Sequence, residues 1–189
     1  YQNWVDCYPA IRKDLYFVMD DSWDIPKDVN DSPNLYLGCV ELSSDRFPSF
    51  RGDAVERLKQ LSEQIKSKGW KGVGGWICAQ KAETHAAIPE EEYWKQRIKT
   101  ANAAGFDYWK VDWGKEDRNG EWRRKLTAIG KRYAPHLYIE HALRNEFIEF
   151  SDVFRTYDVE NITAQPITIR RICDLLPYKT VEGAKGIIN

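Results

Sequence analysis

The sequence predicts an α/β fold with a parallel sheet, and three observations carry that expectation. Short apolar runs ending in polar or acidic residues alternate with amphipathic segments of helical period. Helices follow strands, in the order of successive βαβ units. The polar residues gather at the C-terminal ends of the strands: Asp20 and Asp21, Asp112, Glu140 and His141, and Asp158.

The elements follow in order. "LYFVMDDSW" (15–23) is an aromatic, apolar run that ends in acids, the pattern of a buried strand. A polar loop with Pro26, Pro33 and Pro48 comes next. "DAVERLKQLSEQIKSKG" sets Val55, Leu58, Leu61 and Ile65 at helical spacing, with Lys66 and Lys68 in the last turn and Gly69 as the stop. "WKGVGGWI" (70–77) is the second strand, with Gly72, Gly74 and Trp76 on one side. "EEEYWKQRIKTANAAG" gives a helix with Trp94, Ile98 and Ala101 on one face. "FDYWKVDW" (106–113) is a strand, and "EWRRKLTAIGKRY" a helix showing Trp122, Leu126, Ile129 and Tyr133. "LYIEHA" (137–142), "DVFRTYD" (152–158) and "GIIN" (186–189) are three further strands, with Ile169, Ile172 and Leu176 marking a helix before the last.

Acids at strand C-termini, with neither a G-x-G-x-x-G nor a P-loop, favour a (β/α)8 TIM-type barrel over an open doubly wound sheet. Such barrels typically take about 250 residues. The 189 residues here, starting at Tyr1 without a Met, are therefore expected to be a partial barrel of about six of the eight strands, one catalytic unit over 1–189.

A net charge of −1 gives no electrostatic case for nucleic acid or an anionic membrane as partner. No apolar run approaches the roughly 20 residues of a membrane span. Four dispersed cysteines lack metal-ligand spacing; buried free thiols are expected, with a Cys7–Cys39 bridge as the alternative. Eight Trp and ten Tyr are more than a small core needs, and aromatic faces stack on the C–H face of a pyranose. Oligomeric state and compartment are left open.

On a strand, residues two apart share a face. Tyr108, Lys110 and Asp112 are thus expected to point into the barrel, and Trp109, Val111 and Trp113 toward the helices. A lysine beside a carboxylate favours its ionised form, as a nucleophile requires. Glycoside hydrolysis needs a second carboxyl group to protonate the leaving oxygen. Asp158 is the candidate, with Glu160 as the alternative. Asp20 and Asp21, next to Trp23, suit the vicinal hydroxyls and apolar face of a sugar. Trp76, Glu140, His141 and Arg155 complete the substrate-binding candidates. No cofactor and no metal are expected.

"FVMDDSWDIP", "RFPSFRGDAVERLKQLSEQIKSKGWKGVGGWI", "AGFDYWKVDWG", "FRTYDVENIT" and "KGIIN" stand in the order found in the α-galactosidase-like glycoside hydrolases of families 27 and 36. The chain resembles these enzymes over residues 15 to 189. The resemblance implies a (β/α)8 catalytic barrel, a β-sandwich C-terminal to it in the full protein, and retention through a covalent glycosyl-aspartate. It matches Asp112 to the nucleophile, Lys110 to a lysine on sugar hydroxyls, and Asp20 and Asp21 to the pair gripping C4 and C6 hydroxyls of galactose. Arg155 matches the arginine preceding the acid/base, and Asp158 the acid/base itself. The family's four-residue step from that arginine reaches Val159 here, so the match at Asp158 takes a one-residue deletion. "YIEHALRN", where the resemblance implies Glu140, His141 and Arg144 as readers of the C2 substituent, also departs from the family, which leaves galactose, L-arabinopyranose or another α-linked sugar as the substrate. Two other readings are a noncatalytic carbohydrate-binding barrel and a metal-assisted hydrolase using Asp20, Asp21, Asp112, Glu140 and His141.

Overall fold

The structure is a computed structural model and describes residues 6, 10–29, 33–142, 147, 149–154, 163, 165–167, 169–170, 173–174 and 187–188. Six parallel strands form one sheet in sequence order: β1 Tyr16–Met19, β2 Gly72–Ile77, β3 Tyr108–Val111, β4 Tyr138–His141, β5 Val153–Phe154 and β6 Ile187–Ile188. Three helices connect the first four strands in pairs: α1 Ala54–Ser67, α2 Glu90–Ala103 and α3 Gly120–Tyr133. Residues 165–167, 169–170 and 173–174 are also helical, the last four of them in the stretch that Ile169, Ile172 and Leu176 mark as a helix and the first three before it. Sequential parallel order with helical crossovers is the wall of a (β/α) barrel. Among the described residues no helix is long and apolar enough to cross a membrane.

Each helix begins where its sequence says it should. Asp53 caps α1 by accepting from the Glu56 N–H, and the Glu56 carboxylate returns a bond to the Asp53 N–H. Glu90, Glu91 and Glu92 fill the first turn of α2, where the helix dipole favours negative charge. The Asn119 side chain accepts from the Trp122 N–H at the start of α3.

The register sets the two faces of the sheet. Phe17, Val73, Trp109, Val111 and Ile139 turn outward and pack against Leu58, Leu61 and Ile65 of α1, Trp94 and Ile98 of α2, and Trp122 and Leu126 of α3. Indoles dominate this layer: Trp94 meets Trp109 at 6.3 Å and Trp122 at 5.4 Å between ring centres, both edge-on. Each removes roughly 150–250 Å² from water, so the large aromatic content is explained first by this core. The inner face begins with a tyrosine layer, Tyr16 lying 5.6 Å from Tyr108 and 5.8 Å from Tyr138. Burial and the neighbouring Tyr138 push the Tyr16 phenol up to about 12.

Cys39, Cys78 and Cys173 are free thiols, so the alternative Cys7–Cys39 bridge is not formed; Cys7 lies outside the described residues. Burial pushes the Cys39 thiol up to about 12, and that of Cys78 upward as well. Both stay protonated and inert at neutral pH.

Candidate functional site

The C-terminal ends of β1 to β4 bring part of the predicted constellation together. Asp112 directly follows β3, and its N–H donates to the Ile77 carbonyl of β2 at 3.0 Å. Its side chain is 9% exposed, and Oδ2 accepts from Trp76 Nε1 at 3.1 Å. Lys110, one strand step below, sends Nζ to within 3.5 Å of Asp20 Oδ1. Asp20 is 76% exposed there, with its neighbour Asp21 also at the surface. Trp76, Lys110 and Glu140 occupy matching register positions on β2, β3 and β4, and so share the inner face.

Glu140 is wholly buried and accepts from the Tyr108 hydroxyl at 2.6 Å. Burial and the Glu140 charge raise the Tyr108 phenol, which holds its proton and acts as a donor. Glu140 is thus placed beneath the strand ends, supported from the tyrosine layer.

Two predicted residues sit elsewhere. Trp23 is buried on the helix side: its ring lies over Gly75, packs 5.8 Å from Phe106, and donates Nε1 to the Trp76 carbonyl at 2.7 Å. A Cβ at Gly75 would come within 2.8 Å of that indole, which is why β2 carries glycine there. β1 ends at Met19, and the following turn passes through Ser22 at φ +73, so strand alternation no longer applies to Trp23. His141 lies on the outer face of β4, opposite to Glu140. It sits 3.1 Å from Arg123 Nη1 and 2.8 Å from Thr127 Oγ1, between the rings of Phe147 and Phe150. Burial, then the Arg123 charge, lowers its pKa well below the usual imidazole range, so it is neutral. Neither residue faces the same space as Asp112. With Glu140 and His141 on opposite faces, the five-residue metal set does not converge; among the described residues no three His, Cys, Asp or Glu side chains are grouped to hold a metal ion.

Trp113 is a third difference. The strand stops at Val111, and the chain bends through Gly114 at φ +150. Between the strand end and that bend, Trp113 lies toward β2, where its half-buried ring packs 5.2 Å from Trp76 beside Leu37 and Cys78. Gly114 is required both by that φ and by space, because a Cβ would lie 2.7 Å from the Ala79 backbone. Ala79 N–H donates to the Trp113 carbonyl at 2.8 Å, and Glu116 N–H to the Ala79 carbonyl at 2.8 Å. The loops after β2 and β3 are therefore laced together beside Asp112.

Arg144, Arg155, Asp158 and Glu160 lie outside the described residues. Sequence reasoning missed Asp24 and Arg123. Asp24 is buried below the β1 loop, where Oδ2 accepts from the Val40 N–H at 2.7 Å; burial, then the nearby Asp21 charge, pushes its carboxyl up to about 7. Arg123 is fully buried against the end of β3. The signal for it was the spacing Arg123, Thr127, Gly130, a second stripe beside the apolar one, which turns out to be part of the buried face of α3.

A groove of about 620 Å³ runs between α2 and α3 on the helix side, with Glu116 and Asn119 of the loop after β3 in its lining. Its Trp94 and Trp122 nitrogens both donate to Glu90 Oε1, at 3.3 and 2.7 Å.

No family model matches the chain, and no curated protein sequence matches it. Among solved structures, it is similar to the crystal structure of α-galactosidase I from Mortierella vinacea, at 17% identity with a TM-score of 0.57. The match covers 100% of this chain and 54% of that one, so the chain spans about half the length of that structure. At this identity the likeness is one of fold, and with the sequential parallel sheet it makes the chain an α/β protein of TIM-barrel type.

Proposed function

We propose that this chain is part of a retaining glycoside hydrolase that cleaves terminal α-galactoside-like sugars. The observation that carries this reading is the convergence of Asp112, Trp76, Lys110 and Asp20 at the C-terminal ends of three adjacent strands. In barrels of this type, that end is where active sites are built. The fold likeness to an α-galactosidase adds support.

In this mechanism Asp112 attacks the anomeric carbon with one carboxylate oxygen, forming a glycosyl ester as the glycosidic C–O bond breaks. Asp158 gives its proton to the departing oxygen. It then takes one from water, which adds to the anomeric carbon and releases the sugar and the free Asp112 carboxylate. The Trp76 N–H holds one oxygen of Asp112, which fixes the direction of attack. Lys110 and the exposed carboxylates of Asp20 and Asp21 bind sugar hydroxyls as donor and acceptors.

The experiment is hydrolysis of an aryl α-galactoside by the full-length protein, alongside its Asp112→Asn variant. Turnover with retained anomeric configuration, abolished by the substitution, is the expected result. A folded protein that binds galactose without turning over any aryl α-glycoside would instead be a carbohydrate-binding barrel.

A further inference from the structure

The most unusual buried group near Asp112 is Arg123, on the first turn of α3. Its side chain is wholly out of water, and its donors go to backbone oxygens and one imidazole. Nε reaches the Asp117 carbonyl at 2.8 Å, Nη1 the Val111 carbonyl at 2.9 Å and His141 Nδ1 at 3.1 Å, and Nη2 the Asp112 carbonyl at 2.6 Å. Phe147 covers the guanidinium, 5.1 Å from ring centre to Cζ. The charges acting on it are those of Asp112 and Asp117, and burial pushes it down to about 10, still protonated at neutral pH.

Burying a cation costs several kcal/mol even after relaxation, and an apolar side chain of similar volume often does as well or better for stability alone. The position of this one is informative. The ladder still holds the Val111–Asp112 peptide, through the Asp112 N–H on Ile77 and the Ala142 N–H on the Val111 carbonyl, but β3 ends at Val111 and the Asp112 carbonyl is bound by Arg123 instead. Ile77 holds Asp112 by its N–H, Trp76 holds it by its carboxylate, and Arg123 holds it by its carbonyl. The same guanidinium binds the carbonyls on either side of the bend, at Val111 and Asp117. Bonds from a charged donor are worth more than neutral ones and hold a tighter geometry.

We infer that Arg123 is a positioning residue: its buried guanidinium clamps the peptide of Asp112 from the helix side, so that the carboxylate is held at the distance and angle needed for attack. This rests on the reading of Asp112 as a nucleophile. A displacement of about 1 Å in such a group costs on the order of 100-fold in rate while leaving the binding surface intact.

The test uses the full-length protein and its Arg123→Lys and Arg123→Gln variants. The probe is a fluorinated α-galactosyl donor with a good leaving group, which esterifies the nucleophile and is hydrolysed slowly. Labelling rate is followed by intact mass, galactose affinity by titration calorimetry, and folding by thermal melting. The expected result is labelling of Asp112 in the wild type, slowed roughly 10- to 100-fold in the variants, with glutamine worse than lysine. Galactose affinity should change less than about two-fold. Variants that label at the wild-type rate overturn the inference, as does parallel loss of labelling and galactose binding. If neither variant folds, Arg123 is a folding residue and the inference also fails. A wild-type protein that never labels at Asp112 removes the nucleophile reading itself, a result the variants are not needed to see.

Discussion

The Trp76 indole nitrogen donates to Asp112 Oδ2 across 3.1 Å, joining the inner face of β2 to the end of β3. The bond is buried, so it orients one carboxylate oxygen at little cost in side-chain freedom. Trp76→Phe keeps an aromatic ring against Trp113 but deletes the donor and leaves a small void. On the proposed mechanism kcat with an aryl α-galactoside falls about 10-fold, with KM within about two-fold, because the loss is one of orientation. The void and the lost hydrogen bond together should cost about 2–4 kcal/mol, a fall in melting temperature of about 5–15 °C. A change confined to KM would instead assign Trp76 to sugar binding alone.

Lys110 and Asp20 meet at 3.5 Å, with the lysine 18% and the aspartate 76% exposed. An ion pair this open contributes little to stability. Lys110→Met should therefore leave thermal unfolding nearly unchanged while raising KM for the aryl galactoside by about 10- to 100-fold, as bonds to sugar hydroxyls are lost. Steady-state kinetics beside a melting curve would decide it. Destabilisation with unaltered KM would make the pair structural.

How far the sequence was legible follows the regular elements. Period-two alternation put Tyr108, Lys110 and Asp112 on one face of β3, and period 3.6 named Leu58, Leu61 and Ile65 on α1 and Trp94 and Ile98 on α2. Errors begin where a strand ends. Trp23 follows a turn at positive φ through Ser22, and Trp113 lies past the end of β3 at Val111, so strand alternation assigns the face of neither. His141 is a different miss, since alternation within β4 already sets it opposite Glu140. Arg123 was hidden because a basic residue on a helix is ordinarily solvated, and only three-dimensional contact shows carbonyls waiting for it.

Trp23 offers a direct check on that reading of the β1 turn. Its indole is buried over Gly75 and bonded to the Trp76 carbonyl at 2.7 Å. Trp23→Phe leaves a small void and an unpaired buried carbonyl, which together cost about 2–4 kcal/mol. Denaturant unfolding should register that loss. KM for the aryl galactoside should stay within about two-fold, whereas a sugar-stacking platform would raise it at least 10-fold.

Asp24 gives a pH signature independent of catalysis. Its carboxyl is pushed up to about 7, first by burial and then by the Asp21 charge, against an ordinary value of 3.8; the Val40 N–H and Arg97 act in the opposite sense without cancelling it. A carboxyl whose folded value is raised binds its proton more tightly in the folded state. Its contribution to stability is fully present below about pH 4 and is lost as pH rises toward 7. The loss amounts to roughly 4 kcal/mol, about three pH units at about 1.4 kcal/mol each. Asp24→Asn keeps an oxygen for the Val40 N–H and does not ionise. The difference in melting temperature, variant minus wild type, should therefore grow between pH 4 and 7 by about 8–16 °C and then level off. Melting curves at four or five pH values measure it. A difference that stays flat across this range would mean that Asp24 ionises in the folded protein as readily as in the unfolded chain, and that its burial is relieved by water entering beneath the β1 loop.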